Sequence, residues 1–421
     1  MARKKGYKIK QYNNIFGHRF QSRVSPLKIV AVLVSVALLF MLGWALYQPI
    51  YDLVTGNTPR PSDDATPPVG EESSQGDDTS QEENPSQEET GTGIHSVYVP
   101  QSVLTDSAQL DAFIQSLENT QINTVVFELK ADDGTVLYQS QLEQVAQVQA
   151  QAQDAYSLTE VTEKFQAAGL KPVGILHAFQ DHLATKLGSS YPIKYNNTDV
   201  TWLDDFPDQG GRSWLNPYST DAQAYLISLA NEAVDMGVEN IVLDSVFFPS
   251  MGGSEMATFG SASKEKTREQ VLTDFVSDVR SSVESKGAQV WLKVNATDLF
   301  EDSTQSYGGD PLAVSGGMLM VSLVPEQFGT SYTSDAFSME KPVTTPGQTV
   351  ETAMKAIQSL SSDDSYTYWG ILQAYTSQTV TGENGKNYTQ TEIQEQIQGL
   401  QAAGVLNYSL WNPEGTYSLG E

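Results

Sequence analysis

The 421-residue sequence predicts an α/β fold: a (β/α)8 TIM barrel preceded by a single transmembrane helix and a disordered acidic linker. Three observations carry this expectation. Eight short runs rich in β-branched and aromatic residues recur after Ile94 with amphipathic segments between them, the pattern of parallel strands covered by helices. Ile29 to Tyr47 runs without a charge for about the length a helix needs to cross a bilayer core. Between the two lies a stretch too polar and too uniformly acidic to bury a core.

From the amino terminus, residues 1–28 hold Arg3, Lys4, Lys5, Lys8, Lys10, Arg19, Arg23 and Lys28 and no acid. Basic residues on that flank keep it in the cytoplasm, so a single-pass cell-membrane protein with everything after Tyr47 outside is expected. Trp44 and Tyr47 stand where interfacial aromatics anchor the span 29–47, and no small-x-small site follows, so the run reads as an anchor and not a cleaved signal peptide. Residues 48–93 hold eleven acids from Asp52 to Glu89 against Arg60 alone; like charges keep such a chain extended, as a tether. The remaining 94–421 form the barrel domain.

Its expected strands are Ser96–Val99, Thr124–Lys130, Pro172–Phe179, Asn240–Phe248, Gln289–Ala296, Gly317–Val324, Tyr366–Tyr375 and Val405–Trp411. Helices are expected over Asp106–Asn119, Leu158–Ala168, Asp221–Met236, Thr267–Lys286, Thr349–Leu360 and Thr391–Ala403, several ending at a glycine. Eight such repeats close most naturally into a barrel. A doubly wound open sheet, the alternative, would carry a glycine-rich phosphate loop after its first strand, and Pro100-Gln101-Ser102 is not one.

Strand alternation assigns faces. Val125, Phe127 and Leu129 point toward the helices, leaving Glu128 and Lys130 inward; Asp244 points in with Val242 and Val246, as do Lys293 and Asn295, Gln373, Asn407 and Ser409, and His177. Asp244, the lone acid of the run Gly237–Ser250, needs either an ion-pair partner or a polar cavity, because an isolated buried charge costs several kcal/mol. An internal network of Glu128, Lys130, Asp244 and Lys293 is one reading. A functional site is the other, since barrels of this kind place their sites at the carboxyl ends of the strands.

Several function classes are excluded by composition. With no cysteine there is no disulfide or thiolate metal site. Beyond residue 28 there are sixteen bases against fifty-two acids, which argues against nucleic acid as a partner. His95, His177 and His182 are the only histidines after the apolar run, and His177, Asp181 and His182 read as a loop cluster; neither a metal nor a cofactor is expected. No G-x-S-x-G or P-loop spacing occurs.

Taken in order, Val125–Gly134 (VVFELKADDG), Ala178–Ala184 (AFQDHLA), Trp214–Tyr218 (WLNPY), Gly237–Pro249, Ala296–Phe300 (ATDLF), Tyr368–Tyr375 (YWGILQAY) and Leu410–Pro413 (LWNP) resemble the DUF4015 family of glycoside-hydrolase-type barrel domains over about His95 to Tyr417. The resemblance implies a barrel enzyme acting on O-glycosyl bonds, here at a bacterial cell surface. The chain also departs from the family pattern. Phe247 and Ile175 stand where that pattern has arginines, Glu128 where it has an aspartate, and Ser322–Pro325 replaces a proline-methionine-tyrosine stretch. Losing two guanidiniums changes how the site holds carboxylates or substrate.

Glycoside cleavage needs two carboxyl groups flanking the bond, one ionised and one protonated. Asp244, as nucleophile or base, and Asp298, as acid, lie on neighbouring strand ends, with Glu326 in reserve; a helix-capping role is the alternative for Asp298. Substrate contacts are expected from Glu128, Lys130, His177, Trp214, Lys293, Gln373, Trp411 and Asn412. Trp202, Trp214, Tyr218, Trp369, Tyr375 and Trp411 offer flat faces to pyranose rings, unless they merely pack between helices and barrel. The expected partners are a cell-wall or other extracellular polysaccharide and the lipid bilayer. A barrel that has lost catalysis and binds wall glycans as a scaffold or sensor is the competing expectation.

Overall fold

The structure is a computed structural model describing residues 93–196 and 198–419. The basic tail, the apolar run 29–47 and the tether up to residue 92 lie outside the described residues. Among the described residues no helix is long and apolar enough to cross a membrane.

Eight strands form the barrel: β1 (His95–Tyr98), β2 (Thr124–Lys130), β3 (Lys171–His177), β4 (Asn240–Asp244), β5 (Gln289–Asn295), β6 (Met318–Ser322), β7 (Thr367–Gln373) and β8 (Asn407–Trp411). Each pairs in parallel with the next. The ring closes because β1 also pairs with β8, His95 opposite Tyr408 and Val97 opposite Leu410. That second edge on β1 rules out the open sheet.

Helices α1 (Ser107–Ser116), α2 (Leu158–Ala167), α3 (Thr220–Asp235), α4 (Arg268–Glu284), α5 (Pro346–Ser359) and α6 (Gln390–Ala402) surround the sheet. Their starts are written in side-chain caps. Asp106 accepts from the Ala108 and Gln109 amides, and Thr267 with Gln270 and Thr389 with Glu392 form capping boxes. One face of each strand supplies the outer core with Val125, Phe127 and Leu129, as alternation predicts. The other face fills the barrel's floor with Val126, Val173, Ile175, Val242, Trp291, Met320, Trp369 and Ile371. Trp291 and Trp369 meet edge-to-face at 5.3 Å across this floor. Ile175 is part of that apolar plug, so the polar layer is confined to the carboxyl ends of the strands.

Three departures shape the site. Strand β4 ends at Asp244 instead of continuing to Phe248, because Ser245 takes a left-handed backbone with φ of 55°. A bulge at Leu129 moves the register from Glu128 opposite Ile175 to Lys130 opposite Leu176, so Lys130 turns out to the outer layer with Leu176. Finally, β5 and β6 are joined by three short helical pieces, Ala296–Phe300, Thr304–Tyr307 and Pro311–Ser315, in place of one long helix. The sequence also gives no notice of strands Val136–Tyr138 and Gln151–Tyr156, which extend the sheet beyond β2. Glu232 of α3 clasps the loop after the first of them, accepting from Tyr138 Oη (2.7 Å), Ser140 Oγ (2.6 Å) and the Gln141 amide (2.6 Å).

Candidate active site at the carboxyl end of the barrel

Four side chains from four adjacent strands converge above the apolar floor. Asp244 ends β4 and pairs through Oδ2 with the Lys293 ammonium of β5. His177 ends β3, its Nδ1 lying 3.7 Å from Asp244 Oδ2 and its Nε2 3.7 Å from Glu128 Oε1 of β2. The Ser245 amide donates to Asp244 Oδ1 at 2.6 Å, and the Ser245 hydroxyl lies 2.9 Å from His177 Nδ1. These side chains are not sealed: Glu128 keeps 28 % of its surface, Lys293 21 %, His177 14 % and Asp244 13 %. The expected network therefore exists without Lys130, and it opens onto the mouth.

Asp298 stands beside it on the first short helix after β5, where Asn295 Nδ2 donates to its Oδ2 at 3.1 Å. The short helices also bring up Tyr307, buried and packed 6.0 Å from the Phe247 ring. Phe247 in turn meets Trp214 at 5.8 Å, so this side of the mouth is an aromatic wall. Opposite, Trp411 at the end of β8 is half-buried and leans on Tyr98 of β1 with ring centroids 3.9 Å apart.

The two carboxyls are pushed in opposite directions. Burial drives the Asp244 carboxyl up, but Lys293 and His177, with hydrogen bonds from Lys293 and Ser245, outweigh it and hold it at about 2. Burial raises Asp298 above its ordinary 3.8; the Asn295 hydrogen bonds oppose this and the nearby charges of Glu301 and Asp244 reinforce it. For His177, burial works downward, yet Asp244 and Glu128 carry it above its ordinary 6.5. Linkage follows with opposite signs. Asp244 contributes stability above the ordinary carboxylate range and loses it as pH falls toward about 2, whereas the contribution of Asp298 is present in acid and lost as pH rises through its raised pKa. A pair of acids separated in this way is the arrangement that lets one be ionised while the other carries a proton.

Other expected contacts are spoken for elsewhere. Lys130 is fully buried in an ion pair with Asp181 at 3.0 Å and does not reach the mouth. Gln373, also fully buried, accepts from the Glu326 amide (3.0 Å) and donates to Tyr375 O (3.0 Å). Asn412 donates to Ala374 O and Thr416 O and accepts from the Glu414 amide, fixing a turn. Trp214 is 2 % exposed, donates to Asp204 Oδ2 at 3.0 Å and packs with Ile193 and the fully buried Trp202 under the loops after β3 and β4. Glu326 accepts from Ser377 Oγ (2.9 Å) and Thr379 Oγ1, tying the loops after β6 and β7 together. Ser245, Tyr98 and Tyr307 pack against these side chains and escape sequence reasoning. The position of Ser245 directly after a lone strand-end acid is the one signal that marks it.

A family profile described as "Putative glycosyl hydrolase domain", DUF4015, matches residues 96–417, more than half of the chain. The chain belongs to the DUF4015 family. No protein of curated function matches it. Among solved structures, the PgaB (BpsB) glycoside hydrolase domain of Bordetella bronchiseptica is similar to this DUF4015 barrel, with a TM-score of 0.54 and 14% identity over 77% of this chain and 95% of that one. A hypothetical protein from Ruminiclostridium thermocellum is 24% identical over 47% of this chain and 96% of its own, with a TM-score of 0.41. At 14% identity the likeness to the PgaB domain establishes the barrel fold of this DUF4015 member and nothing about its chemistry.

Proposed function

We propose that this DUF4015 barrel is a membrane-anchored extracellular glycoside hydrolase acting on cell-wall or other extracellular polysaccharide, with Asp244 as nucleophile or base and Asp298 as acid. The observation that carries the reading is the convergence of Glu128, His177, Asp244 and Lys293 at the open carboxyl end of the barrel, with Asp298 on the helix that follows β5; the opposed shifts of the two carboxyls, Asp244 down and Asp298 up, accord with it. Glu128, His177 and Lys293 line the same mouth, and Trp411 braced on Tyr98 supplies the flat apolar face a pyranose ring needs.

Hydrolysis on this reading requires Asp244 ionised and Asp298 protonated. The rate should therefore rise as pH climbs past about 2 and fall again as Asp298 ionises, giving an acid-shifted bell. Sugar release from purified wall polysaccharide, followed against pH, measures it. Asp298→Asn should abolish the bell and lower kcat by roughly 10²–10⁴, and an unchanged profile in that variant would remove Asp298 from the mechanism. The direct pairing of Asp244 with Lys293 favours a second reading, a catalytically inactive barrel that binds wall glycans as a scaffold or sensor. Glycan retention with no sugar release at any pH would establish it.

The anchored topology rests on the apolar run 29–47 and its basic flank. Protease added to intact protoplasts should remove the barrel and spare the tail, whereas a protected barrel would overturn the extracellular placement.

A further inference from the structure

Four non-glycine residues among those described have a positive φ: Asn119, Gln149, Ser245 and Lys341. Three of them are exposed, and only Ser245 is buried, at 4 %. A left-handed serine is disfavoured wherever it occurs, and the conformation persists where surrounding contacts over-determine it. At Ser245 those contacts are all to the ends of β3 and β4. Its amide donates to Asp244 Oδ1 at 2.6 Å, its carbonyl accepts from the Phe179 amide at 3.1 Å, and its hydroxyl meets His177 Nδ1 at 2.9 Å.

We propose that Ser245 is a positioning residue, which uses its left-handed turn and hydroxyl to hold the His177 ring against the Asp244 carboxylate, beside the Lys293 ammonium. The left-handed turn is what brings amide and hydroxyl to bear together. The amide engages the carboxylate of the preceding residue while the hydroxyl reaches the ring on the neighbouring strand. Charged groups face that ring from every side: Glu128 from β2 at 3.7 Å, Asp244 from β4 at 3.7 Å, and Lys293 from β5 through its bond to Asp244. With no hydroxyl at Nδ1 the ring is free to swing away from Asp244. The imidazole then loses the Asp244 carboxylate that raises it, and the Asp244 carboxyl loses the imidazole that helps to lower it. Both titrations shift, in opposite directions.

The proposal rests on Asp244 being the ionised group of the site, and its main readout does not require turnover. In the full chain labelled with ¹⁵N-histidine there are four histidines, so the His177 ring is assigned with His177→Gln and titrated by NMR. Ser245→Ala removes the hydroxyl and leaves the strained turn; Ser245→Gly removes the hydroxyl and relieves the strain. In both, the His177 pKa should fall measurably toward the ordinary imidazole value, and Ser245→Gly should melt higher than Ser245→Ala. Where sugar release is measurable, its acid limb should move up in both. A His177 titration unchanged in the two variants overturns the proposal, and so does covalent labelling of Ser245 by a serine-directed phosphonate, which would make it a nucleophile. A shifted titration in a protein that releases no sugar upholds the positioning role and sinks only the hydrolase reading.

Discussion

On the proposed hydrolase reading, Asp244→Asn should lower hydrolysis of wall polysaccharide by roughly 10²–10⁴, the range for losing a positioned general base. It should also destabilise the barrel. The change leaves the Lys293 ammonium facing an amide, and removing one partner of a buried pair costs roughly 3–5 kcal/mol. Side-chain exposures of 13 % for Asp244 and 21 % for Lys293 admit some water, which puts the expected loss near the lower end, at about 3 kcal/mol. A single variant therefore confounds chemistry with stability. Combining Asp244→Asn with Lys293→Met removes the stranded charge, so the double variant should recover much of the melting temperature and none of the hydrolysis. If the double variant regained both, the carboxylate would be structural; a single Asp244→Asn that turned over glycan at the full rate would refute the catalytic assignment outright.

The eight strands are legible in the sequence because each is a run of β-branched or aromatic residues closed by a turn signal, and the helices because amphipathic runs separate the strands and several end at glycine. The core of the site is legible for a related reason. Alternation with period 2 says which side of the sheet a residue faces, and it correctly turns Glu128, His177, Asp244 and Lys293 into the barrel.

Alternation fails where one backbone residue breaks the period, as at Leu129, where the bulge sends Lys130 outward. It is also silent about what lies on top. Gln373, Asn412 and Trp214 sit near strand ends, yet loops cover them and their polar atoms are taken up by backbone and side-chain groups that no local pattern foretells. Asp298 and Tyr307 reach the site because the β5–β6 connection breaks into short helices, a choice made by long-range packing against Phe247 and its neighbours. The conformation of Ser245 is likewise tertiary: nothing in Leu-Asp-Ser-Val forces a left-handed serine.

Lys130→Ala should be the most destabilising single change in this part of the barrel while leaving the mouth chemically intact. Lys130 and Asp181 have no exposed side-chain surface, their charged atoms are 3.0 Å apart, and the Lys130 ammonium also donates to His177 O at 2.6 Å and Ala178 O at 3.4 Å. Asp181 in turn accepts from the Leu183 and Ala184 amides at 2.9 and 2.8 Å, so the pair fastens the loop after β3 to the end of β2. Its other wall is Gly134, whose φ of 95° and closeness to Asp181 leave no room for a Cβ, which would stand 2.0 Å from Oδ1. Deleting the lysine leaves an aspartate buried without a countercharge and two carbonyls without a donor. The cost should be roughly 3–5 kcal/mol, a fall in melting temperature on the order of 10 °C for a domain of this size. Replacing both partners, Lys130→Met with Asp181→Leu, should be much milder, since a buried pair exchanged for apolar groups of similar volume is often nearly neutral. Thermal unfolding of the three proteins measures this, and glycan affinity serves as the control. A Lys130→Ala protein that melts like the parent but binds glycan weakly would return Lys130 to the substrate site and undo the structural assignment.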